Sequence, residues 1–269
     1  MCPPSHFGVH YVINPWMEGQ IDSISTDLAA RQWDALRLRL AEAADVALMP
    51  AVAGLPDLVF TANAALVYAR VAILSSFRYA ERRPEECHFE AWLAEDGFQV
   101  HKLPREVAFE GAGDALLDRS RPLLWMGHGF RSDLSAKPYL EKALNLEIQP
   151  LRLVDSRFYH LDTCFCPLDG GRLMYFPWAF DPASKHAIES RVPADQRFEV
   201  DEEDAVRFAC NAVNLDGAVI LNRAGRDLKQ WITAQGFELE ETALSEFMRA
   251  GGAAKCLSLR LDDPPGCPA

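Results

Sequence analysis

The chain has 269 residues, is 49% hydrophobic and 25% charged, and has a formal net charge of −12 at pH 7. This composition excludes intrinsic disorder, and the acidic balance argues against a nucleic-acid binder or a basic membrane-surface protein. No apolar run approaches the roughly 18 residues of a membrane-spanning helix, and the N-terminus shows no signal-peptide pattern. We therefore expect a cytoplasmic protein that binds neither nucleic acid nor membranes.

Hydrophobic periodicity predicts alternating strands and helices along the whole chain. The first half is predicted to contain, in order, a strand over Val9–Ile13, a helix over Leu28–Ala44, a strand over Val46–Met49, a hairpin of Ala65–Tyr68 and Val71–Leu74, a helix over Pro84–Glu95, a strand over Gln99–Leu103, and strands over Ala115–Leu117 and Leu123–Met126. The second half is predicted to contain a helix over Ser135–Leu144, a strand over Glu147–Leu153, a hairpin of Phe165–Leu168 and Arg172–Phe176, a helix over Lys185–Val192, a strand over Ala218–Leu221, a helix over Gly225–Gln235, a strand over Glu238–Glu241, a short helix over Leu244–Arg249 and a last strand over Cys256–Leu261.

The order strand, strand, helix, strand recurs at a period of about 50 residues, which is typical of a repeat architecture. Five such units of about 54 residues would account for the length, although an ordinary α/β sheet would give a similar alternation. We expect a single domain over residues 1–269. The proline-rich end, Asp262–Ala269, is expected to form a frayed tail.

Cys256 is a candidate nucleophile because it follows two glycines and two alanines and opens a predicted strand. Small residues there would let a substrate approach the backbone closely, and a nearby cation would activate the thiol. The alternative is a small buried hydrophobic residue, as for most free cysteines. The seven cysteines are expected to be reduced thiols. Only Cys164 and Cys166 are closely spaced, and no second ligand pair follows, so we expect no metal site.

His160 and Asp162 would face the same side of a strand, where a histidine beside a carboxylate can act as a general acid/base. The alternative is a core histidine satisfied by a hydrogen bond. Glu110 and Asp114 lie in a glycine-rich turn flanked by apolar residues, so their carboxylates are expected near the interior, where they need a partner. The alternative there is a solvated surface turn.

A cysteine, a histidine and a carboxylate form a set of nucleophile, base and orienting acid. Asn63, Asp114 and Asp162 would add further acceptors to the same pocket. So much negative potential would oppose an oxyanion, but it suits a flat cation such as a guanidinium, which presents five N–H donors.

Three motifs then make the pattern specific: FEGAGD over Phe109–Asp114, HLDT over His160–Thr163 and GGAAKC over Gly251–Cys256. In this order they resemble the guanidino-group-modifying superfamily of amidinotransferases, arginine deiminases, dimethylarginine dimethylaminohydrolases and arginine dihydrolases. The resemblance extends from Asn14 to Arg260. It implies a five-bladed, pseudo-symmetric α/β propeller of repeated ββαβ units, the pentein fold.

The resemblance also implies roles for single residues. Cys256 matches the nucleophile, His160 the general acid/base and Glu110 the acid that orients it, while Asp162 matches the guanidinium-binding carboxylate of the deiminases. Asp114 matches a structural or substrate-proximal acid whose role stays open.

Two further matches concern the entrance of the site. Arg82 and Arg131 match arginines that clasp the substrate α-carboxylate, although a surface ion pair is the alternative for each. Asn14 matches a conformationally mobile asparagine at the site mouth of the dihydrolases.

Asn63 is the departure that distinguishes subfamilies, because deiminases and dimethylaminohydrolases carry an aspartate there. An aspartate only accepts hydrogen bonds, whereas an asparagine also donates and can hold the neutral ureido group left after one hydrolysis. The chain therefore looks closest to the arginine dihydrolases, which would convert arginine to ornithine, ammonia and carbon dioxide.

We expect a hydrolase of arginine or a close derivative that acts through a covalent cysteine intermediate. The alternatives are a deiminase or dimethylaminohydrolase that stops at citrulline and, from another class, an inactive pentein used as a binding protein. The expected partner is a small guanidino compound, and neither a cofactor nor a metal is implied. The sequence does not decide whether the chain forms a homodimer.

Overall fold

The structure, a computed structural model, describes residues 1–262, whose strands form four separate three-stranded sheets. The sheets comprise β1 (Ala65–Tyr68), β2 (Val71–Leu74) and β3 (Gln99–His101); β4 (Ala115–Leu117), β5 (Leu123–His128) and β6 (Glu147–Arg152); β7 (Phe165–Leu168), β8 (Arg172–Tyr175) and β9 (Arg197–Glu199); and β10 (Val213–Leu215), β11 (Ala218–Leu221) and β12 (Glu238–Glu241). In each sheet the first two strands pair antiparallel and the third pairs parallel to the second.

Helices connect the second and third strands of each sheet, because parallel neighbours need a long crossover connection. The helices are α1 (Thr26–Ala41), α2 (Glu85–Glu95), α3 (Lys137–Leu144), α4 (Pro182–Arg191), α5 (Glu202–Ala205), α6 (Arg226–Ala234) and α7 (Ser245–Met248). Of these, α2, α3, α4 and α6 are the crossovers. The predicted hairpins are therefore confirmed, and the predicted order of two strands, a helix and a strand is found in four units once the unpredicted β9 and β10 are included.

The repeat is nearly exact in the first three units, whose first strands begin at Ala65, Ala115 and Phe165. A single 3₁₀ turn precedes each of these strands, over residues 61–63, 111–113 and 161–163. These turns contain or border most of the predicted site residues. The first strands of all four sheets also line one common cavity.

The fifth unit differs from the prediction, because Val9–Ile13, Val46–Met49 and Cys256–Leu261 do not form strands. The Met1 amino group donates to Ala47 O at 2.9 Å, and Met49 N donates to Met1 O at 3.0 Å, so this region is held by isolated backbone bonds. Around Cys256 the backbone bonds are local, with Leu257 N donating to Ala253 O at 3.2 Å. The nucleophile candidate therefore lies in a turn rather than on a strand.

Other boundaries also differ from the prediction. Helix α1 ends at Ala41, and Ala44, predicted on its buried face, is exposed, whereas Trp33, Leu36 and Leu40 are buried as predicted. The short strands β9 and β10 and the four-residue helix α5 were not predicted, because segments this brief carry no periodicity. The predicted frayed tail lies outside the described residues except for Asp262. Among residues 1–262 there is no helix with the length and apolarity to cross a membrane.

Candidate active site

The candidate site lies where the turns that precede the first strands meet the Cys256 turn. Cys256 is buried, and its Sγ lies 3.4 Å from Oδ2 of Asp162 and 3.0 Å from Nδ2 of Asn211. The backbone of this turn is fastened to the first unit, since Ala62 N donates to Cys256 O at 3.1 Å. Residues far apart in sequence thus define the surroundings of the thiol.

Glu110 and His160 form a second buried pair. Glu110 Oε2 lies 2.7 Å from His160 Nε2 and also accepts a hydrogen bond from Arg131 Nη1 at 2.9 Å. Burial would raise the pKa of Glu110, but the charge of Arg131 and the contacts with His160 outweigh it and lower the pKa to about 2. Glu110 is therefore an ionised carboxylate that can fix the imidazole ring and stabilise its charged form.

His160 and Asp162 lie at a 3₁₀ turn and not on a strand, so the prediction that both side chains face the same side of a strand is wrong. His160 is the residue before the 3₁₀ turn and Asp162 lies within it, so the two side chains reach different partners. His160 contacts Glu110, and Asp162 contacts Cys256. The short turn thereby presents an imidazole and a carboxylate to two neighbouring parts of the site.

Cys256 and Asp162 are both held away from their ionised forms. Burial raises the pKa of Asp162 to about 7, and the positive charge of Lys255 partly opposes the shift. Burial and the adjacent Asp162 charge raise the pKa of the Cys256 thiol well above its usual value, whereas the hydrogen bond from Asn211 acts in the other direction. A cation placed between these groups would favour the ionised form of both.

Asn63 lies at the end of the first 3₁₀ turn, and a buried ion pair fixes its orientation. Arg82 donates through Nη1 to Oδ1 of Asn63 at 2.8 Å and pairs through Nη2 with Oε2 of Glu85 at 2.7 Å. The nitrogen of the Asn63 amide makes only a long contact of 3.4 Å with Glu110 O. Asn63 therefore has its acceptor engaged and its donor group available.

Both carboxylate oxygens of Asp114 accept hydrogen bonds from neighbouring groups. Its Oδ2 accepts from Ser132 Oγ at 2.7 Å, and its Oδ1 accepts from Leu161 N at 3.0 Å. Burial raises its pKa to about 6, although the charge of His160 and these hydrogen bonds oppose the shift. Asp114 thus ties the turn of the second unit to the backbone directly after His160.

Arg131 is stacked between aromatic rings rather than paired at the surface. Its guanidinium carbon lies 4.7 Å from the ring centre of Tyr79 and 4.5 Å from that of Tyr159. Besides Glu110, it donates to Ile13 O at 2.9 Å. Arg82 and Arg131 are both buried, so neither forms the surface ion pair that was the alternative for each. Their role in binding the α-carboxylate stays a prediction.

A small cavity adjoins the thiol. It is lined by, among others, Asn14, Asp57, Asn63, Arg131, Tyr159 and Cys256. Asn14 donates to Ala250 O at 3.1 Å, and its Oδ1 accepts from Trp16 N at 3.0 Å. In this structure Asn14 therefore holds two loops of the cavity wall together.

Two of the residues beside the thiol or in the cavity wall were not singled out from the sequence. Asp57 is buried, its Oδ2 accepts from Tyr11 Oη at 2.9 Å, and its Oδ1 has no hydrogen-bond partner among the described residues. Its place in the polar segment before Asn63 was the available signal. Asn211 precedes β10 by two residues, as Asn63 precedes β1, so only the repeat could have indicated it.

Within residues 1–262 no group of three or more His, Cys, Asp or Glu side chains is arranged to hold a metal ion. The side chains gathered around Cys256 and His160 include a thiol, an imidazole, carboxylates, an amide and a guanidinium group.

Comparison with curated proteins finds relatives named as arginine dihydrolases and as a dimethylarginine dimethylaminohydrolase. The chain is 53% identical over 98% of its length to the bifunctional arginine dihydrolase/ornithine cyclodeaminase ArgZ of Synechocystis and 54% identical to AgrE of Nostoc, but spans only 37% and 38% of those proteins. It is also 35% identical, over 97% of the chain and 84% of the relative, to an N(G),N(G)-dimethylarginine dimethylaminohydrolase of Mycobacterium tuberculosis.

Several solved structures are similar in fold to this chain. The N-terminal domain of ArgZ with product bound superposes with a TM-score of 0.98 at 53% identity, over 100% of this chain and 98% of that one. An asparagine-to-serine variant of that domain, covalently bonded to a reaction intermediate, also has a TM-score of 0.98, at 52% identity and the same coverage. A dimethylarginine dimethylaminohydrolase adduct shares the fold, with a TM-score of 0.77 at 22% identity over 88% of this chain and 90% of that one.

A family model described as N,N dimethylarginine dimethylhydrolase, eukaryotic, matches residues 14–261. These residues include every candidate site residue described above. The chain therefore belongs to the dimethylarginine dimethylaminohydrolase family, within the guanidino-group-modifying superfamily that its three motifs resemble.

Proposed function

We propose that the protein is an arginine dihydrolase in which Cys256, His160 and Glu110 act together. The observation that carries the proposal is the contact of 3.4 Å between the buried Cys256 sulfur and Asp162, two residues from the imidazole that Glu110 holds. A thiol, a carboxylate and an imidazole in one buried turn region suit attack on a guanidinium.

In the first round the Cys256 thiolate attacks the guanidinium carbon. His160 protonates the departing nitrogen, ammonia leaves, and an amidino group stays covalently bound to sulfur. His160 then takes a proton from water, which attacks the same carbon, and the C–S bond breaks to release a ureido product and the thiolate. Glu110 stays ionised throughout and stabilises the imidazolium that forms in each half-reaction.

The electrostatics of the site favour a cationic substrate. Burial and Asp162 keep the thiol protonated, so the protein spends little time with two negative charges side by side. A guanidinium bound against Asp162 would offset the negative charge of both groups, and ionisation of the thiol would follow substrate binding.

A second round would convert the ureido product to ornithine. Cys256 would attack the ureido carbon, ornithine would leave, and water would clear the carbamoyl thioester to carbamate, which decomposes to carbon dioxide and ammonia. The orientation of Asn63 supports this step, because Arg82 occupies its oxygen and leaves an N–H donor for the ureido carbonyl. The alternative, a deiminase or dimethylaminohydrolase, would stop at citrulline.

Three charged residues would recognise the amino-acid end of the substrate. Each guanidinium of Arg82 and Arg131 has more donors than its protein partners use, so both can also receive the α-carboxylate. The unpartnered Oδ1 of Asp57 in the cavity wall would accept from the α-ammonium group. Asn14 would then control entry to the cavity, as its sequence match implies.

We further propose that residues 1–269 form one catalytic domain with a five-bladed arrangement. Four units are regular, and their first strands line a common cavity. The fifth would consist of helix α1, the irregular segments before and after it, which meet at Met1 and Ala47, and the segment around Cys256. Activity in the absence of any added cofactor is expected for this domain.

The proposal is tested by incubating the protein with arginine and analysing the products. Ornithine with two ammonia per arginine supports a dihydrolase, whereas citrulline with one ammonia supports a deiminase. Cys256→Ser should abolish turnover, and Cys87→Ser, at an exposed thiol, should not. Turnover by Cys256→Ser would overturn the mechanism. Lack of turnover by the wild type, with no inactivation by a haloacetamidine, would support the inactive binding protein instead.

A further inference from the structure

Asn211 makes an unusually complete set of hydrogen bonds beside the thiol. It is fully buried, and its Nδ2 donates to Cys256 Sγ at 3.0 Å and to Asp162 O at 3.0 Å. Its Oδ1 accepts from Ala253 N at 2.9 Å and from Cys256 N at 3.1 Å. Both donors and both acceptor positions of the amide are therefore in use.

This side chain connects the two turns that carry the nucleophile and the acid. Lys255 N also donates to the backbone oxygen of Asn211 at 3.2 Å, so the Cys256 turn is held from three of its residues. The one contact from Nδ2 to Asp162 O reaches the turn on the other side of the thiol. No ordinary side chain other than an amide supplies two donors and two acceptors in one plane.

One of the four bonds changes strength when the sulfur changes charge. An N–H donor to a thiolate is a charge-assisted hydrogen bond, which is about twice as strong as a neutral one. The bonds to the backbone are insensitive to that charge. The contact with Cys256 Sγ therefore stabilises the attacking form of the nucleophile, whereas the other three bonds fix its place.

We propose that Asn211 is a positioning residue that aligns Cys256 with Asp162 and stabilises the thiolate by donation from Nδ2 to Sγ. This assignment rests on the proposed function, because it gives Asn211 a role only if Cys256 is the nucleophile. In the repeat Asn211 occupies the place in the fourth unit that Asn63 occupies in the first. One amide would thus serve the nucleophile while the other serves the substrate.

The sharpest test is Asn211→Asp, which keeps the shape and the acceptor oxygen but removes the donor and adds a charge beside the sulfur. The matched control is Asn214→Asp, a buried asparagine on β10 that bonds to Asp169 N and Ala218 O instead. Both variants would be assayed for kcat and KM with arginine. The rate at which iodoacetamide alkylates Cys256 would be followed against pH by mass spectrometry of its peptide.

Asn211→Asp is expected to lower kcat by at least about tenfold, with KM for arginine changed by less than about threefold. The midpoint of the alkylation profile should move up by about one pH unit or more, because the thiolate loses a donor and gains a like charge. The groups that set this midpoint with Asn211 are Asp162 and Tyr159 near the thiol, with Lys255 acting on Asp162. Asn214→Asp should leave kcat and the midpoint unchanged.

An Asn211→Asp variant with wild-type kcat and an unmoved midpoint would overturn the assignment. If that variant does not fold, Asn211→Ser gives the second test, because its hydroxyl retains one donor. A kcat below that of the wild type, with a midpoint raised by less than about one pH unit, would support the role, and wild-type values of both would overturn it. Failure of both variants to fold would make Asn211 a folding residue and also overturn it. Turnover by Cys256→Ser, in contrast, would remove the proposed function itself.

Discussion

Arg82 donates a hydrogen bond to the side-chain oxygen of Asn63 at 2.8 Å and thereby fixes the orientation of that amide. The guanidinium of Arg82 is itself fixed by two hydrogen bonds to Glu85, so it cannot easily turn away. Asn63 consequently offers N–H groups toward the site. An aspartate in its place would keep the bond to Arg82 and offer a second acceptor oxygen instead.

We therefore predict that Asn63→Asp changes the product rather than the attack on arginine. The variant should still release the first ammonia, but citrulline should accumulate because the ureido carbonyl finds no donor. Amino-acid analysis of the products over time measures the change. Asn145→Asp, which adds the same charge at an exposed position, serves as the control, and an unaltered ornithine yield from Asn63→Asp would contradict the idea.

Glu110→Gln should impair both catalysis and stability. The imidazole would lose its ionised partner, and we expect kcat to fall by about a hundredfold. Arg131 would retain a buried charge without its carboxylate, so the free energy of unfolding should fall by about 3 kcal/mol. Urea unfolding and steady-state kinetics measure the two effects. The exposed Glu106→Gln should change neither, and a Glu110→Gln enzyme of normal kcat would remove Glu110 from the mechanism.

Asp57→Asn should weaken recognition of the α-ammonium group while leaving the reacting end of the substrate alone. We expect kcat/KM for arginine to fall by about tenfold or more, because a charge-assisted bond is lost. The same variant should act on 5-guanidinopentanoate, which is arginine without its α-ammonium group, as well as the wild type does. An equal loss for both compounds would mean that Asp57 supports the fold rather than the substrate.

The pH dependence of stability should reveal Asp162. Its folded pKa of about 7 lies above the value of about 3.9 in an unfolded chain, so the folded protein retains a proton that the unfolded chain gives up. Asp162 therefore does not lower the free energy of unfolding below about pH 4, and it lowers it increasingly as the pH rises to about 7. We predict that Asp162→Asn is more stable than the wild type at pH 8 and equally stable at pH 4. Urea unfolding at both pH values tests this, with the exposed Asp195→Asn as control.

Glu110 should act in the opposite sense. Its pKa of about 2 lies below the unfolded value of about 4.3, so its contribution is complete above roughly pH 5 and is lost as the pH falls toward 2. In Glu110→Gln the acid-induced loss of unfolding free energy should therefore be shallower than in the wild type. An identical acid limb in both proteins would mean that other carboxylates carry the acid sensitivity.

Most strands and helices of the four sheets could be predicted from the sequence, because alternating apolar residues in strands and apolar faces of helices recur at a regular interval. The hairpin from Ala65 to Leu74 and the buried face of α1 are examples. The predicted strands over Val9–Ile13, Val46–Met49 and Cys256–Leu261 are wrong, since these segments are held by single backbone bonds between distant residues, such as Met1 and Ala47, which leave no local pattern.

The candidate site was likewise predictable only in part. Cys256, His160 and Glu110 could be named because their motifs contain unusual residues for strand ends. The partners of Arg82 and the donor role of Asn211 depend on contacts between distant turns, and the available sequence signal for Asn211 is only a position within the repeat. Such contacts form only when distant turns come together in the folded chain, so the spacing of residues in the sequence does not reveal them.

The turn that holds Cys256 is anchored to Ala62 and Asn211, both of which precede it by many residues. During translation the ribosome therefore delivers the amide and acid groups of the pocket first and the reactive sulfur afterwards. A nascent chain that has released only the earlier units carries an imidazole and its carboxylate without a nucleophile. If Cys256 is the nucleophile as proposed, such a chain would not hydrolyse arginine, and turnover would begin only when the late segment docks on the units already made.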